Sequence, residues 1–536
     1  MIDRRRFVST AIGAPLTALA ASALGPTLEG WAATDAPFDL GPTLEELRRR
    51  CGVPAVGAIV VSTDRVIARG VAGVRRMGEP GAVSVGAHWQ LGSLTKNFTG
   101  TIAAILVERG MLSWDATLRQ LYPEYVGLMA PNVADITVRH LMTHHSGMIH
   151  ADPYPWPGGP EINVPGLTLS QRRQRAIPAN LKTPLLFVPG TRFSYANRGY
   201  NVLAVVLERV TGRSFEELVL QEIARPLGFG PIKFGEPALD DPGHEPWPHV
   251  ADGSRWKPVP PVPRDQYGYH IANPVGGLSL SLDQCGLWMQ AHLRGEQAGG
   301  IVSPAMFKTL HTPLEQGGVP PIGVTPADRQ IGRYLSMGGS NGRNGADYMI
   351  LLDRGFGLFT AINAAPPPEN PQSFFLMQTL LSYAQPGRPA PALAPPRPDA
   401  AGNIEGEALD VAHVGGGHIG FQSFPRLSGQ WQLWWTGAKD GQQLVLRLMV
   451  PAAGRYAIDG TLARNRDYGD ATFALRALHT RLSFRTDKLD WETMPLGETP
   501  LEAGVHELTV TAHGNAGEGG LFCHLGLDVL RLRQIG

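Results

Sequence analysis

The chain has 536 residues, 43% hydrophobic and 18% charged, enough for two or three domains with full cores. Lys plus Arg and Asp plus Glu balance at 47 each, which provides no electrostatic footprint for nucleic acid or a membrane surface. With 65 glycines and 46 prolines, the composition points to turns and long loops and away from a helical bundle.

The N-terminus reads as an address. Asp3-Arg4-Arg5-Arg6-Phe7-Val8 matches the twin-arginine pattern, and an Ala/Leu/Gly stretch follows to Leu24, interrupted by Pro15 and too short to span a bilayer. Small-residue cleavage sites lie at Ala21-Ser22-Ala23 and around Ala32-Ala33. Residues 1–33 are expected to be a signal peptide for export to the periplasm or beyond, with no membrane span once it is removed. No cysteine ends the apolar stretch, so no lipid anchor is expected. Cys51, Cys285 and Cys523 are odd in number and widely spaced, which is no disulfide framework.

Residues 56–62 and 65–71 read as paired strands. Leu91-Gly-Ser-Leu-Thr-Lys-Asn97 then opens a helix-patterned run over 98–109, placing Ser93 and Lys96 one turn apart on one face. A serine hydroxyl is inert until a nearby base takes its proton, and lysine serves when burial or a neighbouring cation keeps it neutral. The free N–H groups of a helix mouth also favour developing negative charge. The competing reading is an N-cap serine followed by an exposed lysine. Ser254-Arg-Trp-Lys257 has the same spacing but lies among Pro246, Pro248, Pro258, Pro260 and Pro261, where no helix forms.

Residues 151–188 and 236–273, rich in Pro, Gly and Trp, read as long loops that wall a binding site. Between them, Phe193-Ser-Tyr195-Ala-Asn197 precedes an amphipathic helix over 197–211 ended by Gly212. Tyr195 is a second candidate proton-transfer group, and Asn197 a candidate partner for the lysine and a substrate carbonyl. A helix is expected over 282–293, strands over 349–352 and 357–364, and a helix over 371–383. Strands at both ends of this region imply one sheet closed by its two termini, with a helical insertion against it. Pro386 to Asp399 is a proline-rich spacer. Beyond it, strand-like runs at 431–435, 443–450, 455–460, 471–475, 505–511 and 525–532 predict an all-β sandwich.

Four ordered segments carry a family resemblance: Gly92-Ser-Leu-Thr-Lys-Asn-Phe98, Ile136 to Gly147, Pro189-Gly-Thr-Arg-Phe-Ser-Tyr-Ala-Asn197 and Pro274-Val-Gly-Gly-Leu278. Together they resemble the class C β-lactamase-related serine hydrolases over roughly residues 40–383, a group of esterases, D-amino-acid peptidases and β-lactamases. The resemblance implies an α/β (α+β) β-lactamase/transpeptidase-like domain, an antiparallel sheet with a helical subdomain. It implies Ser93 as nucleophile, Lys96 and Tyr195 as the proton-transfer pair, Asn197 orienting Lys96, and an oxyanion hole of the Ser93 and Ser340 amides. The family's Lys-Thr-Gly or His-x-Gly strand is best matched by Met337-Gly338-Gly339. A thioether cannot hold a substrate carboxylate, so Met337 shifts the expectation toward neutral esters. Arg333 or Arg343 is the candidate replacement cation, and Met337, Gly338, Gly339 and Arg343 are the substrate-strand candidates.

The expected boundaries are 38–385 for the hydrolase domain, 386–403 for the linker and 404–536 for the sandwich. The latter resembles galactose-binding-like jelly rolls through Glu405-Gly-Glu407, Gln432-Leu-Trp-Trp435, Arg466-Asp-Tyr-Gly469 and Gly526 to Leu532. That resemblance implies a structural Ca²⁺ on Glu405, Glu407 and Asp528, and glycan or cell-wall contact, with one of Trp434 and Trp435 facing outward. No cofactor is expected for catalysis. The leading expectation is an exported serine hydrolase acting on a small ester. The alternatives are a D-amino-acid amidase or weak β-lactamase, and a binding protein with a decayed site. Three motifs are set aside: Gly338-Gly-Ser340-Asn-Gly342 is followed by a strand rather than a helix, Gly415 to Gly420 has no helix or acidic partner, and prolines break the His244-Glu245…His249 spacing.

Overall fold

The computed structural model describes residues 36–150, 162–252, 255–321, 332–365, 372–384, 388–466, 468–513 and 523–535. The expected signal segment, Ser254 and the first residues of the proline-rich segment lie outside them. Among the described residues, no helix is long and apolar enough to cross a membrane.

Strands β1 (Phe38–Asp39), β2 (Ala55–Ser62), β3 (Val66–Gly73), β4 (Tyr334–Ser340), β5 (Gly345–Leu351) and β6 (Phe356–Ile362) form one six-stranded sheet in the order β1-β3-β2-β6-β5-β4. Strand β6 pairs antiparallel with β2 from Phe356↔Ser62 to Ile362↔Val56, so the two ends of the region close the sheet as expected. The helices that position the site are α1 (Gly41–Cys51), α2 (Thr95–Glu108), α3 (Val138–Met142), α4 (Leu169–Leu181), α5 (Asn197–Thr211), α6 (Leu282–Ala298) and α7 (Gln372–Ala384). Residues alternate across β2, and its apolar side chains serve two cores. Ile59 and Val61 face a core with Phe98 of α2 and Trp288 and Met289 of α6. Ala58 and Val60 face one with Leu44 and Leu47 of α1 and Phe375 and Leu380 of α7.

One expected loop is not a loop. Residues 151–188 contain α4, capped by Thr168 and Gln171 in a reciprocal capping box. Its apolar stripe is interrupted because Arg172 and Arg173 occupy buried positions. Arg173 pairs with Glu208 and Glu216 at 2.6 Å each, so ionic contacts replace the hydrophobic signal. Residues 236–273 hold a short hairpin, His249–Asp252 against Arg255–Pro258, so the region around Ser254 is strand-flanked rather than helical.

The C-terminal region is all antiparallel β. Its strands are β7 (Asn403–Glu405), β8 (Asp410–Val414), β9 (His418–Ser423), β10 (Trp431–Ala438), β11 (Gln443–Val450), β12 (Gly454–Arg464), β13 (Asp470–Leu475), β14 (Leu478–Ser483), β15 (Asp490–Leu501), β16 (Gly504–His513) and β17 (Cys523–Gln534). They make two sheets, β9-β10-β17-β12-β15 with β7 on β17, and β8-β11-β16-β13-β14. The inward alternate residues fill a core continuous with α1 and α7. Arg50 of α1 reaches across to Asp410, and its guanidinium also donates to the Val411 carbonyl at 3.0 Å. The proline-rich segment is fastened rather than free, with Met449 N–H donating to the Pro396 carbonyl at 2.8 Å.

Candidate active site

Ser93 sits in a single 3₁₀ turn, Gly92–Leu94, that runs directly into α2. Lys96, one turn on, is fully buried. Its Nζ donates to Ser93 Oγ at 3.0 Å and to the Val275 carbonyl at 2.9 Å. Ser93 Oγ also shares a hydrogen bond with the Tyr195 hydroxyl at 2.8 Å. Lys96 Nζ stands 5.0 Å from the centre of the Tyr195 ring. The structure therefore brings Ser93, Lys96 and Tyr195 into one contact set from residues 102 positions apart in the chain.

The Pro274–Leu278 segment explains how this set is held. Besides Val275, the Pro274 carbonyl accepts from Thr99 Oγ1 at 2.6 Å, and Leu278 N–H donates to Thr95 Oγ1 at 3.2 Å. Three backbone contacts, from Pro274, Val275 and Leu278, thus fix one face of α2. The orienting contact to Lys96 that the resemblance implied for Asn197 is made here by the Val275 carbonyl. Asn197 is the first residue of α5, and its Oδ1 is buried without a partner. Backbone acceptors have no residue-type signature, which is why sequence reasoning missed Val275.

The edge strand β4 lies against the Ser93 turn. A Cβ on Gly92, whose φ is +53°, would stand 2.5 Å from the Ser340 amide nitrogen. A Cβ on Gly339 would stand 2.2 Å from the Leu91 carbonyl oxygen and 2.9 Å from the Ser93 amide nitrogen. The missing Cβ atoms of Gly92 and Gly339 allow this approach, which places the Ser93 and Ser340 amides on adjoining backbones. The turn beyond Ser340 is locked: Asn341 Nδ2 donates to Gln90 Oε1 at 2.5 Å and to the Tyr269 hydroxyl at 3.0 Å.

Residues 42–378, well over half of the chain, match the model of the family described as Beta-lactamase. The chain belongs to the Beta-lactamase family, a family of serine hydrolases. It is 26% identical over 187 residues to a putative D-alanyl-D-alanine carboxypeptidase of Escherichia coli K12, covering 33% of this chain and 42% of that protein. It is 31% identical over 208 residues to the esterase EstB of Burkholderia gladioli, covering 36% and 49%. The chain thus spans less than half the length of these curated relatives. Among solved structures, an octameric penicillin-binding protein homologue from Pyrococcus abyssi shares the fold with a TM-score of 0.51 at 17% identity, covering 87% of this chain and 97% of that one. The crystal structure of SurE does so with a TM-score of 0.51 at 21% identity, covering 80% and 97%.

Within this family frame, strand β4 departs from the expected Lys-Thr-Gly or His-x-Gly pattern. Met337 is buried, and its Sδ accepts from Asn97 Nδ2 at 3.3 Å, beside the Tyr348 hydroxyl that accepts from the same nitrogen at 2.6 Å. Gly338 is exposed and Gly339 half-buried. Neither candidate cation stands free to replace the missing charge. Arg343 pairs with the fully buried Glu236 at 3.2 Å and donates to the Pro260 carbonyl. Arg333 lies before the start of β4, at the end away from Ser340, bonded to Glu296 at 3.0 Å and Asp353 at 2.9 Å.

In the sandwich, Trp435 is fully buried with its Nε1 donating to the Gly416 carbonyl at 2.7 Å. Trp434 is half-buried, its ring 5.9 Å from His524 and 5.5 Å from Tyr468. Glu405, Glu407 and Asp528 do converge, and each has a buried carboxylate oxygen without a hydrogen-bond partner. Burial, then the neighbouring Glu405 and Asp528, pushes Glu407 up to about 7, and burial, then Glu405, pushes Asp528 up to about 6. Among the described residues, no group of three or more His, Cys, Asp or Glu side chains is arranged to hold a metal ion. The trio stands as a like-charge cluster rather than a formed ligand set.

Proposed function

We propose that the protein is an exported carboxylesterase working through an acyl-enzyme on Ser93. Ser93 Oγ attacks the ester carbonyl carbon, and its proton passes along the 2.8 Å contact to a Tyr195 phenolate held beside the Lys96 ammonium, or along the 3.0 Å contact to Lys96 Nζ in its neutral form. The carbonyl oxygen, now negative, takes hydrogen bonds from the Ser93 and Ser340 amides. Collapse breaks the C–O bond to the leaving alcohol, which takes the stored proton. Water then attacks acyl-Ser93, returns a proton through the same pair, and releases the carboxylic acid and free Ser93. The contacted Ser93, Lys96 and Tyr195 set speaks against a decayed binding protein.

The ester preference rests on one observation. Met337 turns into the core, and Arg343 is spent on Glu236, so β4 presents no cation to a substrate carboxylate. An unpaired buried charge is costly, and one missing charge-assisted bond of about 3 kcal/mol corresponds to roughly 10²-fold in kcat/KM. Neutral short-chain esters are therefore expected to exceed penicillins and D-Ala-D-Ala peptides by about that factor. Better turnover of the carboxylate-bearing substrates would refute the preference and favour the second reading, a D-amino-acid amidase or weak β-lactamase, suggested by the name of the E. coli relative. Export through the twin-arginine route rests on Arg4-Arg5-Arg6-Phe7-Val8. Loss of export on replacing the arginine pair with lysines is the test.

A further inference from the structure

The backbone on both sides of Tyr195 is tied to one residue. Ser194 N–H donates to the His144 carbonyl at 2.9 Å, and Ala196 N–H donates to His144 Nδ1 at 3.0 Å. Between these two anchors, the imidazole stacks on the Tyr195 ring with centroids 4.6 Å apart and planes 29° from parallel. His144 is itself fixed. It is 1% exposed, takes a left-handed φ of 59°, and packs 5.0 Å from the Tyr200 ring, whose hydroxyl donates to the Met142 carbonyl. A non-glycine residue in that conformation is uncommon and costs energy, so the surroundings hold it there.

We propose that His144 is a positioning residue that clamps Tyr195 at hydrogen-bonding distance from Ser93. The proposal rests on the reading of Tyr195 as a proton-transfer group. Two backbone bonds set where residue 195 leaves the chain, and the stacked ring sets the direction of its phenol. A tyrosine has two side-chain torsions and a long lever to its hydroxyl, so small backbone freedom at residue 195 becomes a large error at Ser93 Oγ.

His144 does this without exchanging protons. An N–H donor already occupies Nδ1, so the ring proton resides on Nε2 in the neutral tautomer. Burial, then the charge of Lys96, holds the imidazole down at about 3, so it stays uncharged across neutral pH. The titratable groups facing the pair are Lys96 on α2, 5.0 Å from the Tyr195 ring, His150, 5.4 Å from that ring, and the neighbouring His145.

The test is a double-mutant cycle on kcat for a neutral ester, with the pH profile recorded for each variant. His144→Asn keeps a side-chain acceptor and tolerates a left-handed backbone but removes the ring. His144→Phe keeps a ring and removes the acceptor. Both are expected to lower kcat by roughly 10- to 10²-fold, to change KM by less than about 3-fold, and to shift the alkaline limb of the kcat profile. In a Tyr195→Phe background, which lacks the hydroxyl being positioned, adding His144→Asn is expected to cost nothing further. An equal additional loss there would make His144 a general structural residue and overturn the clamp. Wild-type kcat and pH profile in both His144 variants would also overturn it. If Tyr195→Phe alone retains wild-type kcat, the reading of Tyr195 fails instead. Should His144→Asn not fold, His144→Gln carries the same cycle.

Discussion

Gly338 and Gly339 are neighbours on β4, yet one added methyl group is expected to have opposite consequences at the two positions. At Gly339 the new Cβ would lie 2.2 Å from the Leu91 carbonyl oxygen, 2.5 Å from Leu94 Cδ1 and 2.9 Å from the Ser93 amide nitrogen. The first contact is backbone and about an ångström short of van der Waals distance, so the edge strand must withdraw by roughly that amount. The Ser340 amide moves with the strand. An oxyanion donor works at about 2.7–3.1 Å, and losing one costs roughly 10²–10³-fold in kcat. Gly339→Ala is therefore expected to lower kcat by about 10²-fold while binding of neutral substrate, read as KM, changes little. At Gly338 the Cβ meets no backbone atom, only the side chain of Asp347, nearest at 2.7 Å. Gly338→Ala is expected to retain kcat within a few-fold. Steady-state kinetics on a short-chain ester, with thermal unfolding to confirm folding, decides the matter. Full activity in Gly339→Ala, or equal losses at both positions, would refute the placement of the oxyanion hole between Ser93 and Ser340.

Lys96→Ala and Tyr195→Phe are each expected to reduce kcat by roughly 10²–10⁴-fold, with a double mutant little worse than either, because the two contact the same Ser93 oxygen; fully additive losses would make Tyr195 packing rather than chemistry. Met337→Lys places an ammonium among Asn97, Tyr348 and the core, so it is expected to lower Tm and leave penicillin turnover unimproved; a variant with wild-type Tm and faster penicillin turnover would show that residue 337 reaches the substrate. Glu407 and Asp528 have folded-state values raised to about 7 and about 6, so the folded protein holds more protons than the unfolded chain between roughly pH 4 and 7. Stability is then present below the unfolded values and lost as pH rises through the folded ones. Tm is expected to fall from pH 5 to pH 8, less so in Glu407→Gln; a flat or rising Tm contradicts this, and calcium that raises Tm at pH 8 only when Glu407 is present would make the trio a cation site.

The most legible parts of the sequence were those in which residue type carries the physics. Ser93 and Lys96 could be paired on the helix because a spacing of three is a geometric statement, and the apolar run that followed supplied the helix. The strands at 443–450 and 505–511 were legible because inward apolar positions such as Leu444, Leu446, Leu508 and Val510 recur every second residue, with Gln443, Arg447, Glu507 and Thr509 among the positions between and beside them. Helix α4 was hidden because Arg173 is buried through ion pairs, which periodicity cannot see. Strands β14 and β15 were missed for a related reason: few of their residues, from Leu478 to Ser483 and from Asp490 to Leu501, are buried apolar groups, so no hydrophobic alternation marks them. The Val275 contact to Lys96 and the approach of Gly339 to Ser93 are backbone events. No side chain announces them, and only the path of the chain reveals them.

The central claim is that Ser93 is the nucleophile, and mass spectrometry of the intact protein after brief exposure to a fluorophosphonate and, separately, to an activated short-chain ester tests it most directly. One adduct per chain is expected, mapped by peptide digestion to Ser93, absent from Ser93→Ala and largely retained in Ser340→Ala. An adduct mapped to Ser340, or undiminished labelling of Ser93→Ala, would contradict it.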